Sequence, residues 1–139
     1  MSVTEDEFQK LVVQWLDAAL PSGCFFHHSP NEGRRHVNYM MRLKKLGMKS
    51  GFPDLCIFVP HRYFFGGIPY PLFIELKAPK RGVVTPAQKA VQAELGEAGC
   101  MVLTANRLHK VKAWLSHIIE LRENGKSRAI EKMAEVQGA

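Results

Sequence analysis

Two apolar stretches decide the fold of this chain: GFPDLCIFVP at residues 51–60 and PLFIELKAPK at residues 71–80. Each has the length and composition of a buried β-strand. Charged residues nevertheless interrupt both, with Asp54 at the head of the first stretch and Glu75 and Lys77 inside the second. Because an isolated buried charge is costly, these three residues require a chemical explanation.

Alternation along a strand places Glu75 and Lys77 on one face and Ile74 and Leu76 on the other. If the two strands pair, Asp54 approaches Glu75, and two carboxylates at the edge of a core repel each other. A divalent cation relieves that repulsion, and hard oxygen ligands suit Mg²⁺ or Mn²⁺. With Lys77 beside them to orient or deprotonate a water, or to hold a phosphate oxygen, the set has the parts for metal-assisted phosphodiester hydrolysis. The alternative is a salt bridge between Lys77 and one acid at an exposed sheet edge.

The link between the two stretches, PHRYFFGGIPY at residues 60–70, contains Gly-Gly and two prolines. These residues predict a hairpin-like connection. The aromatic cluster Tyr63, Phe64 and Phe65 is unusual in such a link. It could stack on bases, form a subunit interface or pack back onto the core.

Helices and strands are predicted along the rest of the chain from hydrophobic periodicity. The helices cover residues 4–20, residues 36–46, Thr85 to about residue 98, and a last segment after Asn106; the strands cover residues 24–28, 54–59, 72–77 and 100–104. A capping box of Thr4 and Glu7 begins the first helix, Gly47 ends the second, Thr85-Pro86 begins the third, and Asn106 can cap the last. The order α-β-α-β-β-α-β-α predicts an α/β domain over residues 1–122, followed by a polar tail at 123–139 that can be helical.

The composition is that of a folded, basic domain. The 139 residues carry a formal net charge of +6 and are 46% hydrophobic, and the pI is about 9.4. A basic balance favours nucleic acid, a phosphoester substrate or an acidic membrane surface as partner. Three cysteines without a C-x-x-C pair indicate a reducing compartment, and the acidic N-terminus and the short apolar runs predict a cytoplasmic protein without a membrane partner.

The motifs and their order resemble those of a known nuclease family. Pro53-Asp54, followed about twenty residues later by Glu75-Leu76-Lys77, is similar to the PD-(D/E)XK nuclease signature. More narrowly, the chain resembles a stand-alone VRR-NUC domain (virus-type replication-repair nuclease) of the phage or bacterial type. The matching pieces are an N-terminal helix with Glu and Gln, H-x-P-N-E-G-x-R at 28–35, K-x-x-G-x-x-x-G-x-P-D-L at 44–55, I-E-L-K at 74–77 and T-P-A-Q at 85–88.

The resemblance implies a restriction-endonuclease-like core, a central mixed β-sheet flanked by helices, and nuclease activity that depends on Mg²⁺ or Mn²⁺. It makes Asp54 and Glu75 the metal ligands, with the Leu76 backbone carbonyl completing the site. It makes Lys77 the catalytic lysine. Gln88, on the following helix, would face the site; the alternative is an ordinary solvent-facing glutamine.

The family also places a glutamate of the first helix near the metal, and Glu5, Asp6 and Glu7 compete for that role. Glu7 is engaged in the capping box. Glu5 lies three residues before Phe8 on the inward helical face, which makes it the preferred catalytic acid, with Glu7 second. Acids at a helix N-terminus also stabilise the helix dipole without any catalytic role.

Basic residues on either side of the proposed site are candidate DNA contacts. His28 matches the family motif, although it could be an ordinary strand histidine. The predicted DNA-binding residues are His28, Asn31, Arg34, Arg35, Arg42, Lys44 and Lys45 before the site, and Lys80 and Arg81 after it. The alternative is a solvated charged surface.

The resulting hypothesis is a metal-dependent DNA nuclease, resembling stand-alone family members that act as homodimers on branched DNA in the manner of Holliday-junction resolvases. A homodimer would bring two active sites to two strands of one branched substrate. The first alternative is a DNA-binding module of the same fold that does not cut. The second is a basic interaction protein in which the motifs occur by chance.

Overall fold

A computed structural model describes residues 3–29, 37–67, 69–80 and 82–122. The helices are α1 (Glu5–Ala19), α2 (Val37–Lys45), α3 (Pro86–Glu97) and α4 (Leu108–Ile118); the strands are β1 (Phe25–His28), β2 (Leu55–Phe58), β3 (Leu72–Leu76) and β4 (Met101–Ala105). The predicted order of elements is confirmed, and predicted and observed ends differ by one or two residues. The predicted tail, residues 123–139, lies outside the described residues.

The four strands form one mixed sheet in the order β1-β2-β3-β4. β1 pairs antiparallel with β2, β2 antiparallel with β3, and β3 parallel with β4. The parallel pair needs a crossover, and α3 provides it, since two parallel strands cannot be joined by a tight turn. The predicted mixed sheet with flanking helices is therefore confirmed.

The core lies between one face of the sheet and the pair α1 and α4. Leu55 is paired with Ile74, and Ile74 with Leu103, so these side chains share the face that packs on the helices. From α1, Phe8, Val12, Leu16 and Ala19 are buried, and from α4, Val111 and Leu115. Leu11, also on α1, is 49% exposed.

Helix ends follow the predicted capping chemistry with one exception. Thr4 and Glu7 form the reciprocal capping box of α1. Gly47, at φ +108°, ends α2, where the N–H of Met48 reaches the carbonyl of Leu43 in a Schellman motif. The prediction for α4 was wrong: its N-cap is Arg107, which makes no side-chain cap bond. The Asn106 side chain instead accepts a hydrogen bond from Lys110 Nζ at 2.8 Å.

The aromatic link between β2 and β3 packs mostly against the body of the protein. It begins with a short 3₁₀ helix, His61–Tyr63, and its Tyr63 hydroxyl donates to the Ser22 carbonyl at 2.8 Å. Phe64 forms a β-bridge with Ile119 and packs on the core, while Phe65 remains 65% exposed. Of the three predicted possibilities, packing onto the core is the one observed for Tyr63 and Phe64.

α2 buries none of its side chains. None of the three cysteines forms a disulfide with a described residue, and burial raises the pKa of Cys56 to about 11, which keeps it protonated at neutral pH. Across the described ranges, no helix combines the length and the apolar character needed to cross a membrane.

Candidate active site

Three charged residues lie together where β2 begins and β3 ends. The register that pairs Leu55 with Ile74 brings Asp54, one residue earlier, level with Glu75, one residue later. All three predicted residues are buried: Asp54 is 8% exposed, Glu75 1% and Lys77 7%. Antiparallel pairing of the two stretches therefore produces the approach of acids that the sequence predicted.

The Asp54 carboxylate is held by the backbone of β3. Its Oδ2 accepts a hydrogen bond from the Leu76 N–H at 2.7 Å. Burial raises the pKa of Asp54, while the Leu76 N–H bond and the charge of Lys77 oppose the rise. The strand thus fixes the orientation of this acid, which also shares a side-chain hydrogen bond with Glu75.

Glu75 has the most strongly perturbed environment of the three residues. Burial raises its pKa to about 8, and the nearby Asp54 carboxylate adds to the rise. Its Oε1 accepts from Gln88 Nε2 at 2.5 Å and lies 3.5 Å from Lys77 Nζ. Its Oε2 is buried and accepts no hydrogen bond from the residues that the structure describes. A buried acceptor without a partner is costly, and a bound cation would satisfy it.

Lys77 lies on the same face as Glu75, as strand alternation predicted. The backbone N–H of Lys77 donates to the Ala105 carbonyl at 2.9 Å, which extends the β3–β4 pairing by one residue. The turn that follows closes tightly on it: a Cβ at Gly82 would overlap the Lys77 Cβ and the Ala78 backbone. Gly82 is not among the predicted site residues, although a glycine shortly after a strand lysine can indicate such a close approach of the backbone.

Gln88 faces the site, and it also caps its own helix. Its Oε1 accepts from the Thr85 N–H at 2.9 Å, and the Thr85 hydroxyl accepts from the Gln88 N–H at 3.2 Å. The amide nitrogen of the same side chain then donates to Glu75. This capping box, spelled T-P-A-Q, was visible in the sequence as the second such motif, but only its Thr-Pro start was recognised.

The first helix presents Glu5, and not Glu7, toward the acids. Glu5 is half-buried; burial raises its pKa, and the charge of Asp54 adds to the rise. Glu7 is exposed, and its carboxylate accepts from the Thr4 N–H at 3.0 Å. The helical face assigned to Glu5 is therefore the observed one, whereas its catalytic role stays a prediction.

His28 contacts the segment that carries Asp54. Its Nδ1 lies 3.1 Å from the Asp54 carbonyl oxygen and 2.9 Å from Gln9 Nε2. The ring either donates to the carbonyl or accepts from the amide, depending on its tautomer. These contacts hold α1, β1 and the start of β2 together. They give His28 a structural task that the sequence prediction of a DNA contact did not include.

The segment before Asp54 is seated on α3. A Cβ at Gly51, whose φ is +81°, would come within 2.5 Å of the Ala87 carbonyl carbon. Lys49 pairs with Glu94 at 2.7 Å on the exposed side of the same contact. Further along α3, Gln92 Nε2 donates to Thr104 Oγ1 on β4 at 2.9 Å. The helix that carries Gln88 is thus held against both Asp54 and the sheet.

The predicted DNA-binding residues are only partly within the described chain. Arg42, Lys44 and Lys45 are exposed in the last turn of α2, and Lys80 is exposed on the turn after β3. The remaining four, Asn31, Arg34, Arg35 and Arg81, lie outside the described residues.

The donor set fits a hard divalent cation that also binds substrate. In the described part of the chain, no group of three or more His, Cys, Asp or Glu side chains is arranged to hold a metal. The donors are thus two carboxylates, Asp54 and Glu75, with the Leu76 carbonyl as the predicted third. Mg²⁺ is commonly held by one or two carboxylates, with waters and substrate phosphates as its other ligands.

Solved structures with a similar fold share one name. A structure named "VRR_NUC domain protein" matches with a TM-score of 0.65 and 28% sequence identity over 84% of this chain and 88% of that chain. A second, named "VRR_NUC domain", matches with a TM-score of 0.55 and 21% identity over 83% of this chain and 98% of that chain. No protein-family model and no curated protein matches the chain.

Proposed function

We propose that this chain, which is a VRR-NUC domain as its motifs predicted, is a DNA nuclease that depends on Mg²⁺ or Mn²⁺. Its domain belongs to a nuclease family with a restriction-endonuclease-like fold. The observation that carries the proposal is the buried group of Asp54, Glu75 and Lys77, in which Glu75 Oε2 accepts no hydrogen bond within the described part of the chain. If Glu75 had only a structural role, a protein donor to this oxygen, or an apolar residue in place of the acid, would make the fold more stable.

Asp54, Glu75 and the Leu76 carbonyl would hold the cation. When bound, the cation supplies a Lewis acid for the phosphoryl oxygen and lowers the pKa of water at the site. The chain's own residues supply orientation. The Leu76 N–H and the Gln88 amide each fix one oxygen of a carboxylate, on Asp54 and Glu75 respectively.

Lys77 provides the positive charge next to the reacting phosphate. Its ammonium donates to a phosphate oxygen or to the attacking water and stabilises the charge that develops in the transition state. Glu5, at the rim of the site, accepts a hydrogen bond from the attacking water and orients it. The sheet behind these groups excludes bulk water, which strengthens each of these interactions.

DNA approaches this site across a basic surface. Arg42, Lys44 and Lys45 on α2, and Lys80 on the other side, contact the phosphate backbone without reading base edges. Branched DNA is the preferred substrate, and two copies of the chain act together on it as a homodimer. His28 contributes through its contact with the Asp54 segment, and Asn31, Arg34, Arg35 and Arg81 extend the phosphate-binding surface.

The decisive experiment incubates the purified protein with linear, flapped and four-way DNA in Mn²⁺, Mg²⁺ or EDTA. Cleavage in either metal and none in EDTA is expected for the wild type. Asp54→Ala should lose both cleavage and the heat of Mn²⁺ binding measured by calorimetry. Full cleavage in EDTA would overturn the metal mechanism, and DNA binding without cleavage in any metal would leave a non-cutting binding module.

Equal affinity for linear and four-way DNA would remove the branched-substrate part of the proposal. Each phosphate contact releases counterions, so the logarithm of affinity should fall linearly with that of salt concentration. Replacing Lys44 and Lys45 by Ala should make this slope less steep by about 0.9 per lost contact. An unchanged slope would show that α2 does not contact the backbone.

A further inference from the structure

Two clefts flank the N-terminal half of α1, and their chemistry is opposite. The acidic cleft, lined by Glu5, Asp6 and Asp54 with Lys10 as the one cation besides His28, opens onto the candidate metal site and measures about 530 Å³. The basic cleft is lined by Val3 and Leu11 from the α1 region, by Lys80 after β3, and by Arg107 and Leu108 at the start of α4. Its volume is about 330 Å³.

The basic cleft lies at the same edge of the sheet as the candidate active site. β3 and β4 run parallel and end together, with Leu76 paired with Ala105. Lys77 still pairs with the Ala105 carbonyl, and the two chain segments then diverge. Lys80 follows Lys77 by three residues, and Arg107 follows Ala105 by two. Lys80 and Arg107 therefore lie on the segments that follow β3 and β4, close to the candidate catalytic residues.

The walls of the basic cleft are apolar and open to solvent. Val3 is 40% exposed and Leu11 is 49% exposed, although both belong to a segment whose other apolar side chains fill the core. Leu108 is half-buried between this surface and the core. Its described lining includes no Asp or Glu, and Lys80 and Arg107 are exposed at its rim. An apolar slot with a cationic rim suits a flat apolar group joined to an anion.

Resting on the proposed function, we propose that the basic cleft binds one unpaired nucleotide of the DNA substrate. The base lies between the apolar walls of Val3, Leu11 and Leu108, and Lys80 and Arg107 bind the flanking phosphates. A paired base cannot enter, because both of its faces are stacked within the duplex. The volume lies at the lower end of the range in which proteins bind small molecules, about 300 to 1,000 Å³.

This assignment gives the site a substrate preference. A strand with an unpaired nucleotide next to the scissile phosphate gains the contacts of the base in addition to those of its phosphates. Roughly 60 Å² of apolar surface buried against these aliphatic walls is enough to tighten binding by about tenfold. DNA with single-stranded segments at a branch point offers such a nucleotide, and a continuous duplex does not.

The test compares binding of three DNAs by the full-length protein in Ca²⁺: a linear duplex, the same duplex with a short single-stranded flap, and that flap with abasic sites. The Leu11→Glu variant places a negative charge in the basic cleft. Because Leu11 is half-exposed, the variant should retain the fold, and a melting temperature close to that of the wild type verifies this. Met101→Glu is the matched control: Met101 is 39% exposed at the opposite end of β4.

Wild-type protein and Met101→Glu should both bind the flap about tenfold more tightly than the abasic flap. Leu11→Glu should bind the flap and the abasic flap with equal affinity, and its affinity for the duplex should equal that of Met101→Glu. Lys80→Ala together with Arg107→Ala should weaken binding of the flap and the abasic flap equally. If wild-type protein binds both flaps alike, or if Leu11→Glu behaves as Met101→Glu on all three DNAs, the assignment is overturned.

Parallel cleavage assays in Mn²⁺ separate this assignment from the nuclease proposal. Cleavage of duplex without any base-dependent binding would reject the nucleotide cleft and leave the nuclease intact. Base-dependent binding that Leu11→Glu removes, without cleavage of any DNA, would support the cleft and reject the nuclease.

Discussion

Glu75→Gln should make the metal-free protein more stable, even though it should abolish cleavage. In the native structure burial and Asp54 raise the pKa of Glu75 from 4.5 to about 8. Below pH 4.5 the carboxyl is protonated in both the folded and unfolded states. As the pH rises toward 8, the unfolded state loses its proton and the folded state keeps it, so wild-type stability falls. Gln at this position has no proton to lose and still accepts from Gln88.

The magnitude follows from the size of the pKa shift. Each unit corresponds to about 1.36 kcal/mol, so the advantage of the variant is near zero at pH 4.5 and reaches roughly 3 kcal/mol at pH 7. It levels off at about 5 kcal/mol above pH 8. For a domain of this size, roughly 3 kcal/mol corresponds to an increase in Tm of the order of 10 °C.

Thermal unfolding in EDTA, followed by circular dichroism between pH 5 and pH 9, measures this gap. Glu94→Gln is the matched control. The Glu94 side chain is 61% exposed, so removing its charge should give no comparable pH-dependent gain in stability. Added Mn²⁺ should then stabilise the wild type and not Glu75→Gln, since only a protein that binds the ion gains from it. A gap between Glu75→Gln and wild type that stays constant with pH, or a variant less stable at pH 8, would refute the reasoning.

Three further predictions concern residues around this pair. Lys77→Ala should lower the cleavage rate by about 10² or more with little loss of Mn²⁺ affinity by calorimetry; a wild-type rate would make Lys77 only an ion-pair partner. Glu5→Gln should lower activity with little change in Tm, while Glu7→Gln keeps activity because Gln still serves the capping box; the reverse pattern would mean that the other helix acid serves the site. Gly51→Ala should lower both Tm and cleavage rate, because its Cβ would meet the Ala87 backbone and displace the neighbouring Gln88. If Gly51→Ala lowers the cleavage rate equally in a Gln88→Ala background, its effect does not act through Gln88.

Much of the fold was predictable because local chemistry and the global fold agree. Hydrophobic periodicity and the capping residues Thr4, Gly47 and Thr85 gave the order of elements and most of their ends. The N-cap of α4 was misassigned because a capping residue was assumed where the chain uses none: the Asn106 side chain is bound by Lys110 instead. The exposure of Leu11 was not predictable, because hydrophobic periodicity along a helix does not reveal how far the surface packed against it extends.

Of the candidate site, the sequence by itself determined the chemical groups. Asp54, Glu75 and Lys77 were identifiable because charges in apolar strands contradict their surroundings, and strand alternation placed two of them on one face. The sequence did not determine distances. Only the tertiary structure decided that the register brings Asp54 level with Glu75. It also decided that the Gln88 amide oxygen caps α3 while its nitrogen donates to Glu75. Likewise, only packing leaves Glu75 Oε2 buried without a donor among the described residues. Such facts arise from residues distant in the chain that meet only when the sheet and α3 pack together. Burial, which sets the pKa of Glu75, is likewise a property of the packed structure and not of any local pattern.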